Sequence, residues 1–326
     1  MSDQASSLIT RSWPVTEEQA AIRLDAFVRR CLAHLSSRQV EDAIRDKLFR
    51  INNRVGRKGD KLSPGDWVTF NGVESWLLTA PFPQTELRAP IVYEDESVIV
   101  VDKPAGMATH GFSGQNQDTL ANLLAAQRPD LLRVGKNRWE PGLVHRLDRE
   151  TSGLVLVAKT QAAFDALRLQ FRRRQVKKKY SALVWGVTAA QGSVSYPIIH
   201  DARDRRRMRA IIRKSTKSRG SKSPKSWWAL TRFRKLRHGD GLSLLEIEME
   251  TGVTHQIRVH LAAIGHPIVG DLLYGRKDRE RFGLDRHFLH ACGLEFYHPQ
   301  DQRVIKTESE LPSELKAVAR HLRAAR

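Results

Sequence analysis

Apolar positions along the first seventy residues change period several times. Leu24, Phe27, Cys31 and Leu35 recur at helical spacing, and Val40, Ala43, Ile44 and Leu48 do so again on a second face. Ser36 opens the second run with Gln39 three residues on, the signature of a capping box. A short strand is expected at Phe49–Asn52. A basic turn through Arg54, Arg57 and Lys58 follows, then a Pro64-Gly65-Asp66 turn into a strand at Trp67–Phe70. Residues 1–20 read as irregular, 21–72 as a small two-helix module with a few strands, and 73–90 as a linker set on an extended course by Pro81, Pro83 and Pro90.

A larger domain is expected over 91–326. Strand patterns fall at Ser97–Asp102, Gly153–Ala158, Lys179–Trp185, Trp227–Phe233 and Leu242–Glu248. Helical patterns fall at Thr119–Gln127, Thr160–Arg174, Thr254–Ile264 and Pro312–Arg323. Turns rather than helices join several neighbouring strands. That predicts an α+β fold whose mixed, largely antiparallel sheet is flanked by helices, not a doubly wound parallel sheet. No internal repeat is visible.

Composition narrows the partners. The chain has 326 residues and a formal net charge of +19. No run of eighteen apolar residues suggests a membrane span, and MSDQASSLITRSW lacks the basic head and long apolar stretch of a secretory signal. Between Asp201 and Arg237 stand fifteen Lys or Arg against two acids, Asp201 and Asp204. The Ser- and Gly-containing middle of this stretch, within an insertion at about 201–226, reads as a loop. Block charge of one sign repels itself unless a polyanion meets it, so nucleic acid is the expected partner. Cys31 and Cys292 show neither metal-ligand nor disulfide spacing and read as reduced thiols, in keeping with a cytoplasmic protein.

Three segments could carry chemistry. In GLVHRLDRETSGLVLVAK, Asp148 lies among His145, Arg146 and Arg149, before a small-residue turn and an apolar strand. Nearby cations keep such a carboxylate ionised, yet the residues alone favour an Asp held in a turn or an Arg pair. In THQIRVHLAAIGHPIVGD, Thr254 can cap a helix whose apolar face is Ile257, Leu261 and Ile264, with Arg258 at its border. Arg258 could face a cleft or satisfy a structural carboxylate. His255 and His260 are five apart, so they do not form a helical zinc pair, and no metal site is expected. In KKKYSALVWG, Tyr180 enters a strand after a basic run, either as a core residue or as a platform for a base.

Taken in order, KPAG (Lys103–Gly106), HRLDRETSG, KKKY and THQIRVHLAAIGHPIVGD resemble the motifs of RluA-type pseudouridine synthases. The front module resembles an S-four-type RNA-binding domain through RLDAFV, SSRQVEDAIRDK and LSPGDWV, with Ile51-Asn52-Asn53 where that pattern has Val-Asn-Gly. The resemblance implies an enzyme that converts uridine to pseudouridine without metal, redox or nucleotide cofactor. It implies Asp148 as nucleophile, Arg258 as its ion-pair partner, Tyr180 against the uracil and Arg146 in the gap left by the extruded base. Arg38, Arg45, Lys47 and Arg54 would grip RNA. The implied substrate is structured RNA, ribosomal RNA first and transfer RNA second, and the protein is expected to be a monomer. Val253 stands where this family has Arg or Lys. A non-enzymatic RNA-binding protein, a nucleic-acid glycosidase and a DNA-binding repressor are the competing readings.

Overall fold

The computed structural model describes residues 7–111, 114, 116–212, 225–275, 282–320 and 322–324. The chain forms two compact units: 1–87 with 110–132 and 136–140, and 88–109 with 133–135 and 141–326.

The first unit is built on a four-stranded antiparallel sheet, β1 (Leu8–Pro14), β4 (Trp67–Val73), β2 (Phe49–Ile51) and β3 (Arg54–Val55) in spatial order. Helices α1 (Leu24–Cys31) and α2 (Ser37–Arg45) contribute Leu24, Phe27, Val28, Val40, Ala43 and Ile44 to its core, against Phe49, Val68 and Phe70. The capping box forms as expected: Gln39 N–H donates to Ser36 Oγ and Ser36 N–H to Gln39 Oε1 at 2.8 Å. Asn52 and Asn53 turn the chain between β2 and β3 with φ of 46° and 70°, the paired left-handed geometry of a tight hairpin. Two boundaries differ from the sequence reading. Residues 8–14 are a strand rather than irregular, because alternation there is masked by Thr10, Arg11 and Ser12 on exposed positions. The expected linker begins with a 3-10 turn, Glu74–Leu77, whose Trp76 is buried in this core. Helix α3 (Leu120–Gln127), capped by Thr119, falls in this unit, and Asn122 Nδ2 donates to the Phe82 carbonyl at 2.8 Å.

The second unit is a ten-stranded sheet. Its main path runs β16 (Arg323–Ala324), β12 (Thr231–Gly239), β13 (Leu242–Met249), β8 (Lys177–Trp185), β14 (Leu289–Tyr297), β7 (Ser152–Ala158), β6 (Val98–Lys103) and β5 (Ile91–Glu94). β9 (Gln191–Val194) pairs with β12, and β15 (Val304–Glu308) with β14. Every pairing is antiparallel except β14 with β7, so the mixed, largely antiparallel sheet is as expected. β7 is buried at every position, which explains its unbroken apolar run. Helix α4 (Gln161–Arg172), capped by Thr160, packs on β7. A hairpin of β10 (Ile198–His200) and β11 (Met208–Ala210) shares a small core with α5 (Gln256–Ala263) through Ile198, Met208, Ala210 and Val259. α6 (Ser313–Ala319) is shorter than its pattern suggested. The strand expected at Trp227–Phe233 lies at Thr231–Gly239, with Trp227 making only an isolated bridge to Ile198. Of the insertion at 201–226, residues 213–224 lie outside the described residues.

Gly153 shows how tightly the one parallel pairing is built. Its φ is +114°, and a Cβ there would sit 2.3 Å from the Ala291 carbonyl oxygen. Gly153→Ala is therefore expected to destabilise the fold by about 3 kcal/mol or more, through both strain and overlap. Urea unfolding of the two proteins measures this.

Candidate active site

The loop between Val144 and Thr151 holds Asp148 at the start of β7. Two neighbouring devices shape it. Thr109 Oγ1 accepts from Leu147 N–H at 3.0 Å and donates to Leu147 O at 2.8 Å, so one hydroxyl fixes both backbone polar groups of the residue before Asp148. Lys103, with no exposed surface, donates to the carbonyls of Pro104, Met107 and Arg149 at 2.9, 2.7 and 3.2 Å. Burial pulls its pKa down to about 7, opposed by the charge of Asp148. The KPAG motif is thus a clamp on the Asp148 loop, closed further by Gly106 N–H to Arg149 O at 3.0 Å. His145 is also structural: its Nε2 accepts the Leu156 N–H at 2.9 Å, and burial holds its pKa near 3, so the ring stays neutral.

Arg258 comes from α5. Its Nη1 donates to Asp148 Oδ2 at 3.0 Å. Its other edge forms a two-bond fork with Asp271, Nε to Oδ2 at 2.7 Å and Nη2 to Oδ1 at 3.0 Å. The two readings left open for Arg258 are therefore both true. Asp271 is 1% exposed and its Oδ1 also accepts from the N–H groups of Leu273 and Tyr274. Burial alone would raise the Asp271 pKa; the Arg258 guanidinium and these donors bring it below the ordinary carboxylate value. Arg258 is likewise pushed above the ordinary arginine value, the two carboxylates outweighing its burial.

The helix cap is His255, not Thr254, and His255 has a left-handed backbone with φ of 57°. Such a conformation is uncommon outside glycine and asparagine and frequent at functional positions. Gln256 fixes the preceding loop: Oε1 accepts from Thr251 Oγ1 at 2.7 Å and Val253 N–H at 3.2 Å, while Nε2 donates to Leu230 O and Thr231 Oγ1. Tyr274 Oη accepts from Met208 N–H at 2.7 Å and lies 2.8 Å from His255 Nδ1. His255 Nε2 lies 3.8 Å from Asp148 Oδ2; when the Tyr274 hydroxyl donates a hydrogen bond to Nδ1, the neutral ring carries its proton on Nε2, toward that carboxylate. Burial lowers the His255 pKa, keeping this ring uncharged at neutral pH.

Asp148, Arg146, Tyr180 and Arg258 all line one cavity of about 430 Å³. Tyr180, on β8 opposite Ile247, is 5% exposed, and burial followed by the charge of Asp148 raises its pKa well above the ordinary phenol value. Lys178 forms part of the wall, donating to Thr251 O at 2.9 Å, with its pKa lowered to about 8 by burial. The other lysines of KKKY are taken up by carboxylates, Lys177 by Glu295 at 2.6 Å and Lys179 by Glu246 at 3.8 Å.

Arg38, Arg45, Lys47 and Arg54 belong to the first unit and do not line this cavity. All are exposed; Arg45 meets Asp42 at 2.7 Å, Arg38 meets the same acid at 3.9 Å and Arg54 meets Asp60 at 3.0 Å. Arg45, Lys47 and Arg54 share a cleft of about 710 Å³ with Arg57 and Lys58. Among the described residues no group of three or more His, Cys, Asp or Glu side chains could hold a metal ion, and no helix is long and apolar enough to cross a membrane.

The residues that sequence reasoning missed are those behind the cavity, Asp271 above all. A signal existed: from Thr251 to Gly275, Arg258 is the only Lys or Arg and Asp271 the only acid.

The site is thus one anchored carboxylate and one buried phenol lining a cavity of about 430 Å³ in an α+β fold. Comparison with known proteins shows the family. Residues 97–263 match the family model described as RNA pseudouridylate synthase. An RNA pseudouridine synthase of Chloroflexus aurantiacus is 38% identical, over 94% of this chain and 92% of the relative. The ribosomal large subunit pseudouridine synthase D of Zymomonas mobilis is 31% identical, over 96% and 98%. The solved structure of human RNA Pseudouridylate Synthase Domain Containing 1 superposes with a TM-score of 0.56 at 29% identity, covering 74% of this chain and 91% of that one. The chain belongs to the RNA pseudouridylate synthase family and is an RNA pseudouridine synthase, an isomerase.

Asp271→Asn tests the fork behind the site. At neutral pH it is expected to cost about 3–5 kcal/mol, because Arg258 is left buried with half its pairing gone. The wild-type contribution is fully present above the ordinary carboxylate pKa of 3.8 and is lost as pH falls through the lower folded value. Urea unfolding from neutral to acidic pH should therefore show the two proteins converging in acid.

Proposed function

We propose that the protein isomerises uridines of structured ribosomal RNA, with Asp148 as nucleophile and the target base extruded into the 430 Å³ cavity. The observation that carries this reading is the state of Asp148. Its Oδ2 is held by Arg258, while Oδ1 has no protein partner among the described residues. One oxygen sets the orientation and the other is free to meet the ribose. The relatives named ribosomal large subunit pseudouridine synthase D support ribosomal RNA over transfer RNA.

The reaction cleaves the bond from ribose C1′ to uracil N1, turns the base, and joins C1′ to C5, whose proton is lost as N1 gains one. Asp148 either bonds to the sugar during this exchange or removes a sugar proton so that a glycal forms. Arg258 orients the carboxylate. Tyr180 packs on the uracil; since its phenol stays protonated at neutral pH, its hydroxyl can donate but does not begin as a base. Arg146, exposed at the cavity, occupies the place vacated in the RNA stack, the usual need of an enzyme that takes a base out of a helix. The first unit acts as an S-four-type module, with Arg38, Arg45, Lys47 and Arg54 on phosphates, which positions RNA without reading many bases. The protein works as a cytoplasmic monomer.

Pseudouridine mapping of total RNA, from cells lacking the gene and complemented with wild type or Asp148→Asn, tests this reading. Specific ribosomal sites should vanish and return only with the wild type, Asp148→Asn falling by about 10³-fold or more, as loss of a nucleophile does. Return of the sites with Asp148→Asn would remove Asp148 from this role. In the purified protein, Tyr180→Phe should retain activity to within about tenfold and Tyr180→Ala should lose far more, since the ring carries most of the contact. Tritium release from C5-labelled ribosomal transcripts measures both.

A further inference from the structure

A second cleft, of about 630 Å³, opens beside the Asp148 cavity within the same unit. The two share Phe171, Arg172 and the loop Glu250–Thr254. Trp228 forms the wall of the second cleft and is 45% exposed, an unusual position for so large an aromatic surface. Arg174 lies over its ring with the guanidinium carbon 4.3 Å from the centroid. Trp227, beside it, packs on the small core of the β10–β11 hairpin and α5, together with Val253. The Trp227 ring also meets His200 edge-on at 5.2 Å, and Lys225 Nζ lies 5.5 Å from it.

The backbone has been shaped to place Arg174. It follows α4 in the left-handed region, φ 59°, at the position where helices ordinarily end in glycine. Gln175 N–H returns to Gln170 O at 2.9 Å and closes the helix end. Arg172 and Arg174 are exposed and form no ion pair with a described acid; the one acid of the cleft, Glu250, is paired with Arg232. An exposed indole backed by the Arg174 guanidinium, with Arg172 at the rim, is what an unpaired nucleotide requires: a face for the base and charge for its phosphate.

We propose that this cleft is a second base-binding subsite, in which an unpaired nucleotide neighbouring the target uridine stacks on Trp228 while Arg172 and Arg174 hold its phosphate. The inference rests on the reading of the Asp148 cavity as the uridine site. Stacking tolerates any base, so the subsite selects unpaired structure around the target rather than a sequence.

Two measurements separate this from the catalytic reading. The first is binding of a fluorescein-labelled single-stranded oligouridine to the full-length protein in the Asp148→Asn background. Trp228→Ala should weaken it about tenfold and Trp228→Phe much less. Arg174→Ala should weaken it and reduce the slope of log affinity against log salt by about one. The second is pseudouridine formation on transcribed ribosomal RNA, where Trp228→Ala should raise KM about tenfold with kcat within about twofold. Unchanged oligouridine affinity in Trp228→Ala overturns the subsite, as does a fall in kcat at constant KM, which would mean that Trp228 only props the Glu250–Thr254 loop. If Trp228→Ala fails to fold, the exposed Arg174→Ala and the conservative Trp228→Phe carry the comparison, and no change in either overturns the proposal. Loss of oligouridine binding in a protein whose wild type modifies no ribosomal transcript would uphold the subsite and sink the substrate reading instead.

Discussion

The position of Asp148 depends on a charge that it does not own. Arg258 divides its guanidinium between two carboxylates, and the division is unequal. Asp271 takes two bonds in a fully buried fork and is itself held by two backbone N–H groups. Asp148 takes the single bond that remains. A planar guanidinium gripped along one edge has no freedom to swing, so its third nitrogen becomes a fixed point in space. Lysine could neutralise Asp148 but could not transmit an orientation from Asp271, having neither the plane nor the fork. The interaction that aims Asp148 therefore lies one shell behind the cavity, in the loop after α5.

The same arrangement sets the local electrostatics. One cation serves two anions, and the nearest imidazole, His255, is held neutral by burial. The carboxylate at the cavity is thus paired but not doubly neutralised, and keeps one oxygen unengaged among the described residues. Full neutralisation by a second cation would lower its basicity. Leaving the partly buried carboxylate without any cation would raise the cost of its charge. The Arg258 fork meets both limits, and Tyr274 braces the residues around Asp148: its ring lies against the guanidinium, its hydroxyl meets His255, and its backbone N–H holds Asp271.

Much of this was legible in the sequence, unevenly and for physical reasons. β7 and β8 were found because one is apolar throughout and the other enters the core after a charged start. α2 was found because Ser36 caps it, and α4 because its apolar positions recur at helical spacing. β14, central to the sheet, was missed: its register shifts between His290 and Gly293, and a bulge breaks the period of two on which strand recognition rests. In the site, Asp148, Tyr180 and Arg258 came from motif order, and the structure brings all three to one cavity. The roles of Lys103 and His145 were not legible. Their partners are backbone groups, three carbonyls and one N–H, and a backbone acceptor leaves no mark in a sequence. Asp271 was missed for the opposite reason, since a lone acid after an apolar helix reads as a turn residue until its partner is seen.

Four arginines at the two clefts fall into two physical classes. Arg258 is buried, locked by hydrogen bonds and beyond the reach of salt, so its effect is geometric. Arg146, Arg172 and Arg174 are exposed, and among the described residues none forms an ion pair with an acid. Charges of that kind act over about a Debye length and weaken as ionic strength rises. Affinity for a polyanion and control of the carboxylate are thus supplied by residues that respond differently to solvent. Ionic strength can screen these exposed charges without disturbing the geometry of Asp148, Arg258 and Asp271. On the function proposed above, the buried fork would serve the chemistry and the exposed cations the hold on RNA.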